Sequence, residues 1–220
     1  ALRLIESKPI CLNVIAQLQA TLVDKTRGDS FDKGRLRESN VYIGERSKGI
    51  EASRFVPPPF GDPLIEGVSE WEKWIHAEDD YPLLIKIAMA HYQFETLHPF
   101  SDGNGRLGRL IVTLQLVTAG ALTYPLLNLS PWLEPRKDEY KDLLLEISKT
   151  GDFDPWIKFF CEAVHHQAED GVGRIEELLK FQSELRDKLA AKKARGVVTA
   201  VADSLLGYPI ITIPEAAELN

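Results

Sequence analysis

The 220-residue sequence has few cysteines and no long apolar run. Its only two cysteines, Cys11 and Cys161, lie far apart, which excludes a small disulfide-stabilised scaffold. We expect two buried free thiols in a reducing, cytoplasmic compartment, with a disulfide as the alternative. No apolar run approaches the roughly 20 residues of a membrane span, and no basic and then apolar segment opens the chain. We therefore expect no membrane partner and no signal peptide.

Positive charge is also in short supply. The chain has 26 Lys and Arg residues against 33 Asp and Glu residues, so its net charge is -7. This balance argues against broad affinity for nucleic acid or an anionic membrane, which both require clustered cations. With 44% apolar residues, the chain can bury a core without metals or disulfides. Because it starts at Ala1 and stops at Asn220 within a helical pattern, we expect it to be part of a longer sequence.

Apolar spacing predicts a mostly helical chain. A glycine pair, Gly171 and Gly173, is interpreted as a turn between two separate helices. After Gly196 we expect one more helix and then a short strand over residues 210–213. The predicted helices are 12–23, 64–76, 83–97, 105–120, 136–148, 155–167, 174–194 and 197–206.

One region departs from the helical pattern. Residues 41–44 and 50–56 are two short apolar pieces separated by a polar stretch, which predicts a β-hairpin with an exposed tip. Three prolines at 57–59 end the second strand, because proline cannot donate to a ladder.

The most informative segment is HPFSDGNGRLGR, residues 98–109, between two apolar helices. Gly103 and Gly105 allow successive N–H groups to converge at the positive end of the following helix, where an anion is favoured. Arg106 and Arg109 lie three residues apart on one helix face, and guanidinium groups suit phosphate oxygens. The segment therefore predicts a site for more than one phosphate.

Two further side chains give this predicted phosphate site a chemistry. Asp102 offers a hard oxygen ligand for Mg²⁺, and His98 can take a proton near neutral pH. A polyphosphate site with a metal carboxylate and a base predicts phosphoryl or nucleotidyl transfer.

Residues 98–109 resemble the signature of the Fic (filamentation induced by cAMP) family, H-P-F-x-D/E-G-N-G-R-x-x-R, at every defined position. The similarity extends over about residues 1–170, with the predicted hairpin at 41–56 where Fic proteins have their flap. The resemblance implies an all-α fold, a Fic-type helical core with a β-hairpin flap. A connecting helix over 171–196 and an incomplete winged-helix-like module over 197–220 would follow.

The resemblance also implies a reaction, the transfer of AMP from ATP to a Ser, Thr or Tyr hydroxyl of a target protein. His98 is the implied base, Asp102 the implied Mg²⁺ ligand, and Phe100 the anchor of the loop in the core. Asn104, Arg106 and Arg109 are the other implied catalytic residues. The implied nucleotide-binding residues are Gly103, Asn104, Gly105, Arg106, Arg109 and Tyr140, and the implied target-docking flap residues are Ile43, Gly44 and Ile50.

Several alternatives remain open. The intact Gly-Asn-Gly favours adenylyl transfer over the kinase-like branch of the family, but UTP or CDP-choline as donor and removal of AMP are not separated by the motif. The second function is a nucleotide-binding regulatory module with a DNA-related role and incidental or no transfer. Further partner expectations are self-modification, a homo-oligomer, and DNA bound through a completed C-terminal module.

Two smaller patterns were weighed against the motif. Many Fic proteins carry an inhibitory glutamate in a Ser/Thr-x-x-x-Glu-Gly/Asn helix, and the segments at 47–51 and 130–134 have this spacing but not the final residue. We expect the restraint to lie outside this sequence or to be absent. His91, Glu95 and His98 share one helix face, which allows a Zn²⁺ site but favours core hydrogen bonds.

Overall fold

A computed structural model describes residues 1–26, 28–44, 51, 53–207, 210 and 212–218. The described residues contain no strand, so the predicted all-α fold class is confirmed. A 3₁₀ turn, Glu134–Arg136, lies between α6 and α7. The helices are α1 (Leu2–Ile5), α2 (Leu12–Val23), α3 (Asp62–His76), α4 (Leu83–Leu97), α5 (Asn104–Thr118), α6 (Ser130–Leu133), α7 (Lys137–Thr150), α8 (Asp154–Ala191), α9 (Val197–Ser204) and α10 (Ile213–Glu218).

The predicted helices around the motif are confirmed. Helices α2 and α4 have the predicted bounds, and α3 starts two residues earlier than predicted because Gly61 caps it and a proline occupies its first turn. Helix α4 ends where His98 adopts a left-handed conformation, with φ of 47°, directly before Pro99. Helix α5 then begins after Gly103, which is also left-handed.

Two sequence predictions outside the motif are wrong. The helices predicted at 155–167 and 174–194 are one continuous helix, α8, which includes Gly171 and Gly173. Glycine lowers helix propensity by about 1 kcal/mol but retains its N–H, so it weakens a helix without ending it. The strand predicted at 210–213 is not found in the described residues of that range, and Ile213 instead begins α10. Residue 211 lies outside the described residues.

The predicted hairpin is not confirmed. The described part of 41–56 contains one isolated antiparallel bridge, between Ile43 and Phe55, instead of two strands. Ile43 donates to the Phe55 carbonyl at 2.8 Å and accepts from the Phe55 N–H at 3.1 Å. Because prolines begin at Pro57, few N–H donors are left to extend a ladder. Ile50 lies outside the described residues.

The chain forms two compact units, residues 1–167 and 168–220. In the first unit, α4 packs against α3 and α5, and α5 also packs against α2. One apolar cluster includes Phe94 and Phe100, and a second includes Ile87, Val112 and Trp156. Helices α4 and α5 contribute to both clusters, so the loop that joins them is supported from two sides. In the second unit, Arg186 of α8 pairs with Asp203 of α9 at 3.0 Å.

Both cysteines are free thiols and partly exposed, so the free state is as predicted but full burial is not.

Candidate active site

The motif loop, residues 98–103, begins at the end of α4, where the buried residue Arg37 binds three consecutive main-chain carbonyls, two through its side chain and one through its own N–H. Its Nε donates to the His98 carbonyl at 2.9 Å, one Nη donates to the Leu97 carbonyl at 3.4 Å, and its own N–H donates to the Pro99 carbonyl at 3.0 Å. Arg37 is only 2% exposed. Arg37 could not be predicted as a buried residue of this region, because nothing in its local sequence distinguishes it from a surface arginine.

Asn104 closes the loop from its other end. Its side-chain oxygen accepts from the Phe100 N–H at 3.0 Å, and its amide nitrogen donates to the Phe100 carbonyl at 2.7 Å. Both residues are buried, and Phe100 is fully enclosed in the core. The Asn104 side chain is thus bonded within the protein, so only its main-chain N–H is available to a ligand.

Asp102 lies at the outer side of the loop. Gln19 of α2 donates to its carbonyl at 3.0 Å, and its carboxylate lies 3.7 Å from an Nη of Arg106. A Cβ at Gly28 would come within 2.7 Å of the Asp102 carboxylate, so glycine permits this close approach. The Asp102 side chain is 46% exposed, which leaves carboxylate oxygen accessible from solvent.

The N-terminus of α5 faces the loop without a side-chain cap. Its first main-chain bond runs from the Leu107 N–H to the Gly103 carbonyl, so the N–H groups of residues 104–106 have no partner within the helix. These donors and the helix dipole favour an anion at this end. Gly103 has φ of 83°, and a Cβ there would lie 2.9 Å from Val23.

A cavity of about 360 Å³ lies beside this helix end. The cavity is lined by five of the predicted site residues: His98, Gly105, Arg109, Tyr140 and Ile43. The cavity lining does not include the other predicted site residues that the structure describes, which are Gly44, Phe100, Asp102, Gly103, Asn104 and Arg106. Other lining residues include Arg54, Phe55, Lys137 and Lys141, which the sequence did not single out, and Glu95, which shares a helix face with His91 and His98.

The two motif arginines take different partners. Arg109 Nε donates to the Ser130 hydroxyl at 2.9 Å, which holds the guanidinium at the cavity wall. Arg106 does not line the cavity. One of its Nη atoms lies 3.7 Å from the Asp102 carboxylate, and the other donates to the Leu22 carbonyl at 3.5 Å. The structure therefore separates a cavity arginine from an outer arginine on the same helix.

Buried ionisable groups surround Arg109. Burial raises the pKa of Glu95 to about 7, and the charge of Arg109 partly opposes this rise. Burial also lowers the pKa of His91 to about 4, and its Nε2 lies 2.9 Å from the Tyr140 hydroxyl. The His91 ring stacks on Trp156, with centroids 5.9 Å apart.

This cluster bears on the zinc alternative. Glu95 Oε1 lies 4.0 Å from His91 Nε2, and that nitrogen already has a hydrogen-bond partner, the Tyr140 hydroxyl at 2.9 Å. Within the described ranges, no group of three His, Cys, Asp or Glu residues could hold a metal ion. The face that suggested a Zn²⁺ site is therefore the buried contact between α4 and the helices around it.

His98 is the titratable group of the loop itself. Burial lowers its pKa to about 4, and the charge of Asp102 is among the effects that oppose this. Its Nδ1 is buried, and a hydrogen bond with the Glu95 main chain also opposes the lowering of this pKa. The imidazole is thus neutral at physiological pH, and Nε2 is the nitrogen left to meet a ligand.

The Ile43–Phe55 bridge forms another wall of the cavity. Beside it, Arg54 contacts Asp142 of α7 and lies 3.5 Å from the Asp138 carboxylate. These ion pairs connect the segment 41–56 to the opposite wall. These ion pairs could not be predicted from local sequence, since Arg54 and Asp138 are 84 positions apart.

Comparison with known proteins identifies the domain. The profile of the Fic/DOC family matches residues 9–116, which include α2, α3, α4 and the whole motif. Residues 9–116 belong to the Fic/DOC family. The resemblance expected from the motif is thereby confirmed. The cavity-lining residues from Ile43 to Arg109 lie within the matched range, whereas those from Ser130 to Ser148 lie beyond it.

Curated relatives of this Fic domain share one name. Protein adenylyltransferase Fic from Culex quinquefasciatus is 32% identical over 136 residues, which are 61% of this chain and 24% of the relative. Protein adenylyltransferase Fic from Drosophila yakuba is 28% identical over 179 residues, which are 77% of this chain and 32% of the relative. The chain spans 24% to 32% of the length of these two relatives.

Solved structures agree with the family assignment. A Fic family protein from Desulfovibrio desulfuricans G20 matches with a TM-score of 0.60 and 28% identity, over 74% of this chain and 48% of that one. Fic-1 (residues 134–508) from C. elegans matches with a TM-score of 0.57 and 21% identity, over 79% of this chain and 46% of that one. The second match supports the Fic fold alone.

In the described part of the chain, no helix is both long and apolar enough to span a membrane.

Proposed function

We propose that this Fic domain transfers AMP from ATP to a hydroxyl group of a protein. One observation carries the proposal: His98, Gly105 and Arg109 line the same cavity of about 360 Å³ at the N-terminal end of α5. A base, a cation and a helix N-terminus thus face one space, as phosphoryl chemistry requires. The printed name of the relatives, protein adenylyltransferase Fic, supports this reaction.

His98 acts as the base in this proposal. Because its Nδ1 is buried, Nε2 accepts the proton of the target hydroxyl. The hydroxyl oxygen forms a bond to the α-phosphorus of ATP, and the bond from that phosphorus to the bridging oxygen breaks, with the electrons leaving on pyrophosphate. A pKa of about 4 keeps the imidazole neutral and able to accept, and a nearby triphosphate raises the pKa by stabilising the charged form.

The remaining residues bind and orient the triphosphate. Arg109 offers the Nη groups that its bond to Ser130 leaves free, and the unpaired N–H groups at the start of α5 bind phosphate oxygen. Gly103, Asn104 and Gly105 contribute here through the main chain, while Tyr140 forms part of the cavity wall. Arg106 contacts the outer phosphates after it exchanges its weak contacts with Asp102 and Leu22.

The residues also fit a Mg²⁺ ion. Asp102 is a half-exposed carboxylate beside the α5 N-terminus, and Mg²⁺ typically takes one or two protein carboxylates together with substrate phosphates. Asp102 would hold the ion, which when bound neutralises phosphate charge. Gly28 and Gln19 keep Asp102 in place for this role.

Intact mass spectrometry after incubation with ATP and Mg²⁺ tests the proposal. We expect a gain of one adenylyl group on the chain itself or on a protein of a lysate, and the mass of the adduct separates transfer of AMP from transfer of phosphate. His98→Ala should lower transfer by at least ~10²-fold, the lower end of what a general base contributes, while ATP affinity changes little. His166→Ala is the matched control, since His166 is an exposed histidine that stacks on Trp132.

The same experiment separates the alternatives. ATP binding without any transfer would contradict the enzyme and support a nucleotide-binding regulatory module. Equal transfer by His98→Ala and wild type would reject His98 as the base.

We further propose target docking through Ile43 and Gly44, and domain limits at 1–170, 171–196 and 197–220. The cytoplasmic location, a homo-oligomer, self-modification and DNA binding stay predictions.

A further inference from the structure

We propose that Arg37 is a positioning residue that holds His98 for proton transfer and couples it to the segment entering the cavity wall at Phe55. This inference rests on the proposed function for the role of His98. Its structural basis is the set of acceptors around the Arg37 guanidinium.

Each described hydrogen-bond acceptor of this guanidinium is a main-chain carbonyl. Besides the Leu97 and His98 carbonyls, one Nη donates to Ser39 at 3.0 Å and another to Pro58 at 2.5 Å. Burying a charge is costly unless its donors are satisfied, and here the planar fork reaches three separate stretches of chain. A lysine ammonium cannot reproduce this, because its three donors radiate from one point.

The contact to His98 bears directly on the base. His98 is one of three described non-glycine residues with positive φ, a conformation that costs an ordinary residue free energy. Arg37 binds the His98 carbonyl, and its main chain binds the next carbonyl, so it fixes both peptide planes that follow the His98 Cα. The direction of the imidazole therefore depends on Arg37.

The contact to Pro58 extends this control to the cavity wall. Pro58 lies three residues after Phe55, which pairs with Ile43. The Arg37 side chain thus binds the main chain both at His98 and three residues after Phe55, and it sets the distance between these two parts of the cavity wall. Arg37 itself is not among the cavity-lining residues, so its effect is indirect.

The test compares Arg37→Lys with Arg35→Lys, a matched exchange two residues away at an exposed position. A misplacement of about 1 Å can cost ~10²-fold in rate. We therefore expect Arg37→Lys to lower kcat for adenylyl transfer by ~10²-fold at saturating ATP, with the Kd for ATP changed by less than ~3-fold. Arg35→Lys should leave both unchanged. A folded Arg37→Lys variant with wild-type kcat, or with kcat and affinity reduced equally, would overturn the inference.

Nuclear magnetic resonance gives a second readout that needs no transfer activity. In Arg37→Lys, the His98 backbone chemical shifts should move away from left-handed values, whereas Arg35→Lys should retain them. In the wild type, the Arg37 Nε–H should exchange with water at least ~10²-fold more slowly than that of Arg35, because it is buried and bonded. This measurement decides the case if Arg37→Lys does not fold, and equal exchange rates would overturn the inference.

The two proposals can fail separately. Absence of adenylyl transfer by the wild type rejects the proposed function, while the chemical shifts and exchange rates still decide whether Arg37 holds His98. Conversely, active wild type with an unaffected Arg37→Lys rejects only the role of Arg37.

Discussion

The motif loop and the segment 41–56 both contribute walls to one cavity, but they are held very differently. In the loop, the carbonyls of Leu97, His98, Pro99, Phe100 and Asp102 each accept a hydrogen bond from the surrounding scaffold. In the segment 41–56, the described contacts are one β-bridge and the ion pairs of Arg54. Groups that perform chemistry need fixed geometry, whereas a surface that docks variable chain needs exposed main-chain groups.

The largest effect on stability is expected for Asn104→Ala in the loop, and this variant tests the contrast between the loop and the segment 41–56. Removing the side chain leaves the buried N–H and carbonyl of Phe100 without partners, and each such group costs about 1–3 kcal/mol. We expect a loss of about 4 kcal/mol in the free energy of unfolding, measured with urea.

The matched control is Asn40→Ala, near the other segment. Asn40 is exposed and accepts one hydrogen bond, from the Phe60 N–H at 3.2 Å. We expect it to cost no more than about 1 kcal/mol. Similar losses for both variants would show that the Asn104 hydrogen bonds stabilise the loop no more than one exposed hydrogen bond elsewhere stabilises the chain.

Glu95→Gln tests the buried charge behind the loop through pH. The Glu95 pKa rises from 4.5 to about 7 on folding, so the folded state holds a proton that the unfolded state releases. Its stabilising effect is complete below pH 4.5 and is lost as pH rises to 7. The stability of wild type relative to Glu95→Gln should fall by about 3 kcal/mol across this range.

The control for this titration is internal. Burial lowers the pKa values of His91 and His98 to about 4, so these histidines make stability rise between pH 4 and 6.5. That opposite trend is present in both proteins and cancels when the two curves are subtracted. A flat difference curve for Glu95→Gln would contradict a protonated Glu95 in the folded state.

The smallest effect is expected in the segment 41–56. Arg54→Gln removes ion pairs to two exposed carboxylates, Asp138 and Asp142, and such pairs contribute about 0.5 kcal/mol. The loss should shrink further in 1 M salt, where charges are screened. Lys149→Gln, which breaks a separate exposed pair with Glu146, is the control. A loss above about 2 kcal/mol for Arg54→Gln would mean that this segment is held as firmly as the loop.

Much of the first unit could be predicted from local pattern. The bounds of α2 and α4 follow from apolar spacing and from the proline and glycine signals beside them. The predicted hairpin is not confirmed in the described residues, where Ile43 and Phe55 form one bridge. Apolar pieces that flank a polar turn favour strands locally but do not by themselves pair two strands along their length. Gly171 and Gly173 misled in the opposite sense, since glycine in a long exposed helix costs little enough to be tolerated.

For the candidate site, the sequence by itself determined which groups lie on the loop: His98, Asp102, the glycines and both arginines. Only the tertiary structure decided that Arg109 and Glu95 line the cavity while Arg106 does not, and that Arg37 binds the His98 carbonyl. The physical reason is range. Helix periodicity and turn chemistry act between neighbours, whereas the hydrogen bond from Arg37 to His98 joins residues 61 positions apart and leaves no trace in either local pattern.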